Sequence, residues 1–201
     1  MKAVLISIQP KWCVLIASGR KTIEVRKTRP KIETPFKCYI YMTSKGDKPI
    51  KEIETPNGFA YVEVDYKMAG KVIGEFVCDE IYVRPANVIY YGKGQEDYLD
   101  LLKSACMTER EVLDYMGGQF NRETYFWHVT DLKIYDKPKE LGEFYTLGNC
   151  EKYDFCNQCK NFHRGQGWLD GSYCDEDSCL DNTRIPVTRA PQSWCYVEEL
   201  L

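Results

Sequence analysis

"GRKTIEVRKTRPK" occupies residues 19–31, and the reading of its first eight residues decides the rest. In an extended chain alternate residues share a face. Ile23 and Val25 then face a core, while Thr22, Glu24 and Arg26 lie together on the opposite side. Lys21 follows the stop at Gly19, so its long side chain reaches the same mouth. A carboxylate beside two cations offers an acceptor and several donors. That set suits a polar heterocycle with a phosphate, such as a nucleotide. A nearby cation also lowers a lysine pKa toward that of a general base. The alternative is an ordinary surface ion pair, worth about 0–1 kcal/mol. Spacing alone leaves both open.

Working outward, "VLISIQP" (4–10) reads as a strand. Pro10 suits a first helical turn, Trp12, Leu15 and Ile16 share a helical face, and Gly19 stops the helix. The head of the chain is thus strand, helix, strand. "FKCYIYMT" (36–43) is a further strand, and the polar "SKGDKPIKEIETPNG" (44–58) reads as a loop. Residues 59–66 and 70–83 are strand-rich. "QEDYLDLLKSACM" (95–107) and "TEREVLDYMGG" (108–118) read as helices, the second with Thr108 and Glu111 in capping-box spacing and Gly117 as its stop. "TYFWHVTDLKIYD" (124–136) reads as one long strand.

The chain has 201 residues, 44% of them hydrophobic, which suits a globular fold rather than a disordered one. Residues 1–31 hold eight Lys or Arg against one acid, Glu24, about +7. Since the whole chain carries −3, the remainder sums to about −10. A basic head on an acidic body points to an anionic ligand such as phosphate or nucleic acid, or else to two parts that complement each other. No apolar run approaches the roughly 20 residues that span a bilayer, and the opening one is too short for a secretory signal. A cytoplasmic setting with reduced thiols, and no membrane partner, is expected.

Ten cysteines then need another role than disulfides, and five of them lie between 150 and 179. Cys156 and Cys159 form C-x2-C, and Cys174 and Cys179 form C-x4-C. Two close pairs across a loop are what a four-thiolate structural zinc site needs, with Cys150 and His163 as spare ligands. The segment has little apolar content, so it needs such a staple. The alternative is a loop of free thiols. "PVTRAPQSWCYVEELL" (186–201) returns to a strand pattern, so residues 149–183 read as an insertion into one unit built from 1–148 and 184–201. Cys13, Cys38, Cys78, Cys106 and Cys195 read as buried hydrophobes.

Trp12, Tyr125, Trp127 and Trp194 are candidate stacking platforms, with core packing as the alternative for each. Trp12 belongs to the apolar helical face. Trp194 follows "PQS", a turn that presents Gln192 and Ser193 to a base edge. His128 reads as a hydrogen-bonded core residue of an aromatic strand rather than a catalyst, and with two histidines a nucleophilic triad has little support. No phosphate-binding glycine loop occurs.

"GRKTIEVR" (19–26) matches the G-x-K-x-x-E-x-R signature of the ASCH superfamily at Gly19, Lys21, Glu24 and Arg26. "SIQPKWCVLIASG" (7–19), "YFWHVTDLKIYDKPKELGEF" (125–144) and "RAPQSWCYVEEL" (189–200) resemble segments of ASCH proteins of bacteria and their phages. The resemblance implies an α+β fold, a PUA-like β-barrel with a few flanking helices and a cleft bordered by the signature strand. It implies RNA binding, and for some members hydrolysis. One branch removes the acetyl group from N4-acetylcytidine, its signature lysine acting as base on a threonine nucleophile. Lys21 matches that lysine, but Glu24 stands where that branch carries its threonine.

Three readings follow. The first is a module binding RNA, a nucleotide or a modified nucleobase through Lys21, Glu24, Arg26, Gln192, Ser193 and Trp194. The second is a small hydrolase of an N4-acylcytidine or of RNA, with Lys21 and Glu24 as its catalytic pair. The third is a phage or mobile-element protein that meets a protein partner through its acidic, zinc-stapled insertion.

Overall fold

The computed structural model describes residues 1–44, 50–56, 58–63, 65–88, 93–147, 162–163, 173–174 and 184–200. The basic head folds as β1 (Lys2–Ile8), α1 (Pro10–Ala17) and β2 (Ile23–Arg26). Then come β3 (Phe36–Met42), β4 (Ile50–Thr55), β5 (Gly58–Glu63), β6 (Val72–Cys78) and β7 (Ile81–Arg84). Two helices follow, α2 (Lys93–Ser104) and α3 (Glu109–Met116), and then β8 (Thr124–His128), β9 (Thr130–Lys139) and β10 (Tyr145–Leu147). The last elements are the short β11 (Phe162–His163), β12 (Tyr173–Cys174) and β13 (Arg184–Pro186), and finally β14 (Trp194–Glu198).

β1 is apolar at almost every position because it is buried on both faces. It lies inside a five-stranded sheet of order β14-β1-β3-β6-β9, pairing in parallel with β3 and antiparallel with β14. Val4, Ile6 and Ile8 point into the main core with Ile40, Phe76, Phe126 and Trp127. Ala3 and Leu5 point into a second cluster with Tyr39, Phe144 and Val197. Gly74 of β6 lets the edge strand β9 approach closely. A Cβ there would sit 2.5 Å from the Lys133 carbonyl oxygen.

The helix stops fall where side-chain chemistry places them. Pro10 opens α1 and Gly19 leaves it with φ of +71°. Thr108 and Glu111 form the capping box of α3, and Gly117 ends it in the left-handed conformation.

Three expectations are corrected. The fold is mostly sheet with a few helices, but among the described residues the sheets do not close into a barrel. β2, β8 and β7 form a separate three-stranded antiparallel sheet across the main core. The chain passes between the two sheets at Asp79–Glu80 and again at Val129, with no ladder between them among the described residues. The second crossing divides what reads as one strand over 124–136 into β8 and β9. Val129 turns inward and its N–H donates to the Thr22 carbonyl, while Asp131 takes a positive φ of 47°. Part of the segment read as a loop over 44–58 is β4, paired with β5 from Ile50↔Glu63 to Thr55↔Gly58.

The expected zinc ligands Cys150, Cys156, Cys159 and Cys179 lie outside the described residues. His163 and Cys174 fall on β11 and β12, which pair antiparallel. Among the described residues, no cluster of three or more His, Cys, Asp or Glu could hold a metal. Among those residues, too, no helix is long and apolar enough to cross a membrane.

Candidate functional site

β2 is buried at all four positions, so its two charged side chains cannot be a solvated face. Ile23 and Val25 enter the main core. Glu24 and Arg26 enter a cavity of about 460 Å³, where Lys21 joins them. That volume is within the range of about 300–1,000 Å³ typical of small-molecule sites. Lys21 is 1% exposed, and Glu24 and Arg26 are each 5% exposed.

The carboxylate lies between the cations. Arg26 Nη2 is 2.9 Å from Glu24 Oε1, and Lys21 Nζ is 3.5 Å from Glu24 Oε2. Lys21 also donates to the carbonyl of Ala105, 2.7 Å away, just past the last turn of α2. The helix thus directs the negative end of its dipole at the ammonium. Lys21 Nζ stands 5.0 Å from the centre of the Trp12 ring. Arg26 Nη2 donates to the Ser7 carbonyl at 2.7 Å, and Nη1 reaches the carbonyl and hydroxyl oxygens of Ser193 at 3.4 and 3.5 Å. Two cations and one carboxylate leave one positive charge in surplus, and among the described residues Glu24 is the only acid on the wall.

Burial pulls the Lys21 ammonium below the ordinary lysine range, and Glu24 opposes that shift. Burial also pushes the Tyr115 phenol upward, with the Arg26 guanidinium opposing. Cys13 and Cys38 are raised well above the usual thiol range by burial, which leaves them to packing.

The rest of the wall comes from distant parts of the chain. Gln192 lines the cavity, on a turn held by the bond from Ser7 Oγ to the Pro191 carbonyl at 2.6 Å and from Ser7 N–H to the Ser193 carbonyl at 2.9 Å. Trp12 is both a core residue and a wall residue. Tyr115 of α3 and Thr43, just past β3, complete the set that sequence reasoning missed. Thr43 Oγ1 and Arg26 Nε are buried with no hydrogen-bond partner among the described residues. Nothing near either residue in sequence signals this, since the cavity is assembled by long-range contacts.

Four expected members stand elsewhere. Thr22 is exposed because β2 begins only at Ile23, so it does not share the buried face of Glu24. Trp194 is not on the cavity wall. It packs on Trp127 and Tyr196 and donates its indole N–H to Thr28 Oγ1 at 3.0 Å. Trp127 is fully buried in the core, and Tyr125 bonds Glu123 at the surface. His128 is not a core residue either. It lies part-exposed, 2.8 Å from Asp79.

Among solved structures, the chain is similar to an ASCH protein from Zymomonas mobilis. Identity is 21%, the match covers 69% of this chain and 73% of that one, and the TM-score is 0.45. A single-substitution mutant of the same protein gives 19%, 69% and 74%, with a TM-score of 0.44. The N-terminal domain of McrB from Staphylothermus marinus gives 8%, 70% and 77%, with a TM-score of 0.37. No protein-family description matches the chain, and no curated protein matches it in sequence. The first two structures carry the name of the family whose signature the octapeptide resembles. This is a likeness of fold, and the chemistry of the site rests on its own geometry.

Proposed function

We propose that the cavity binds a nucleotide or nucleobase, free or presented by RNA. The observation that carries this reading is the surplus positive charge of the Lys21–Glu24–Arg26 triad, held beside the Trp12 ring on the wall of a nucleotide-sized cavity. A phosphate or a polarised carbonyl answers the extra cation, and Gln192 offers an amide to a base edge. The ASCH resemblance of the octapeptide points the same way. The test is calorimetry with nucleosides and nucleoside monophosphates on the intact chain and on Lys21→Met. The reading expects monophosphates to bind and the variant to lose at least tenfold in affinity while its melting profile stays cooperative. Equal binding by both proteins, or none by either, overturns it.

A second reading is hydrolysis, supported by the lowered pKa of Lys21. A neutral amine there takes a proton from water as the water attacks an acyl or phosphoryl centre. Chromatography of N4-acetylcytidine and a short RNA after incubation tests it. Turnover that Lys21→Met abolishes supports it, and no turnover by the intact chain ends it.

Residues 149–183 are proposed to be an insertion stapled by structural zinc on Cys156, Cys159, Cys174 and Cys179. β10 and β13 pair antiparallel from Tyr145↔Pro186 to Leu147↔Arg184, so the chain leaves and re-enters at one place. Mass spectrometry in native buffer is expected to find one zinc per chain, lost on Cys156→Ser. A metal-free protein overturns this.

A further inference from the structure

The cations do not end at Arg26. Lys27, Arg29 and Lys31 follow it, and all three are exposed. Among the described residues none of them is in an ion pair with an acid, unlike Lys11, Lys37, Lys71 or Lys103. Lys27 Nζ stands 4.9 Å from the centre of the ring of Tyr115, which lines the cavity. Arg29 and Lys31 line a second hollow of about 700 Å³, together with Glu33 and Glu80. Three residues of chain span at most about 11 Å, so the two hollows are near neighbours along this segment.

The segment that carries these cations is held. Trp194 Nε1 bonds Thr28, the Lys31 N–H donates to the Tyr196 hydroxyl at 2.7 Å, and Pro30 is buried. β14 thus fixes a strip of exposed cations on a rigid support, which lowers the entropic cost of engaging a ligand with repeating charge. A lone nucleotide has one phosphate and uses only the cavity. A strand has phosphates to spare.

We propose that residues 27–31 carry the phosphate backbone of a single nucleic-acid strand, one of whose nucleotides occupies the cavity at Lys21, Glu24 and Arg26. This rests on the nucleotide reading above and makes its ligand a strand rather than a free nucleoside. Glu33 and Glu80 make the second hollow mixed in charge. The phosphates therefore pass on its Arg29 and Lys31 side, and removing Glu33's charge strengthens binding.

The experiment measures AMP, UMP and dTMP by calorimetry, and labelled eight-nucleotide adenylate, uridylate and deoxythymidylate strands, with labelled polyglutamate as a polyanion control, by fluorescence anisotropy across a salt series. The proteins are the full chain, the triple variant Lys27→Gln, Arg29→Gln, Lys31→Gln, and Glu33→Gln. Expected are a ribo- or deoxyribo-strand bound at least tenfold tighter than its mononucleotide, and loss of that gain in the triple variant with mononucleotide affinity kept. The slope of log affinity against log salt should flatten by about 2 for three phosphate contacts. Glu33→Gln should gain about two- to threefold for strands alone. The adenylate, uridylate and deoxythymidylate arms decide between RNA and DNA. Mononucleotide binding without a strand advantage overturns the inference and leaves the cavity reading intact. Failure of mononucleotides and strands alike overturns both. A strand advantage untouched by the triple variant, or polyglutamate binding as tightly as the strands, also overturns the inference.

Discussion

Residues 21–26 and 27–31 are neighbours in one basic stretch and use the same residue types, yet they are opposite physical objects. Lys21 and Arg26 are almost wholly buried and bonded to Glu24 and to backbone carbonyls. Lys27, Arg29 and Lys31 are in water. Buried charges are held in one geometry, cost several kcal/mol each to desolvate and are little screened by salt. Exposed ones contribute little to stability and act at range, in a way that salt abolishes. A charged sequence therefore says nothing of its role until burial is known.

The largest effect expected from breaking this contrast is at Glu24. Glu24→Gln keeps the shape but leaves two buried cations facing each other, and should cost about 3–5 kcal/mol in chemical denaturation. A loss under about 1 kcal/mol would mean that the triad is effectively solvated.

Next is the pH response. The folded pKa of Lys21 is lowered, while the unfolded lysine keeps its ordinary 10.5. Between the two values the unfolded chain binds more protons, so the contribution of Lys21 to stability rises with pH across that window and is constant above 10.5. Subtracting the alkaline stability profile of Lys21→Met should isolate this rise, and a difference that is flat or falls with pH contradicts it.

A smaller loss, about 1 kcal/mol, is expected for Trp194→Phe, which removes the indole N–H bonded to Thr28 while keeping an aromatic ring against Trp127 and Tyr196. Thermal unfolding checks it, and Thr28→Val should give a similar loss that is not additive with it. The smallest effect belongs to the strip itself. Lys27→Ala, Arg29→Ala and Lys31→Ala should each stay within about 0.5 kcal/mol of the parent. A larger loss would make them structural residues like their buried neighbours.

Much of the local structure was legible. Pro10, Gly19, Thr108, Glu111 and Gly117 announce helix ends because capping and left-handed conformations depend on the residue and its immediate neighbours. The alternation of Ile23 and Val25 with Glu24 and Arg26 likewise placed the two kinds of side chain on opposite sides of β2. Thr22 escaped because a strand's first residue depends on its partner, and Val129 rather than a further β8 residue meets Thr22. The break at Val129 was hidden for the same reason. Nothing in "TYFWHVTDLKIYD" reveals that its two halves pair with different sheets. Trp194 could have been platform or support from its turn alone, and the choice was made by Thr28, 166 residues away.

What the chain determined by itself was which residues alternate, where helices begin and end, and that an ammonium, a carboxylate and a guanidinium share six residues. The tertiary structure alone decided that these charges face a cavity rather than solvent. Burial depends on Ser7, Ala105, Tyr115 and the 190–193 turn arriving from four distant places, and hydrophobic packing of two sheets is what brings them there. Local propensity acts over a turn of helix or a pair of residues, whereas desolvation is set by everything that packs around a group.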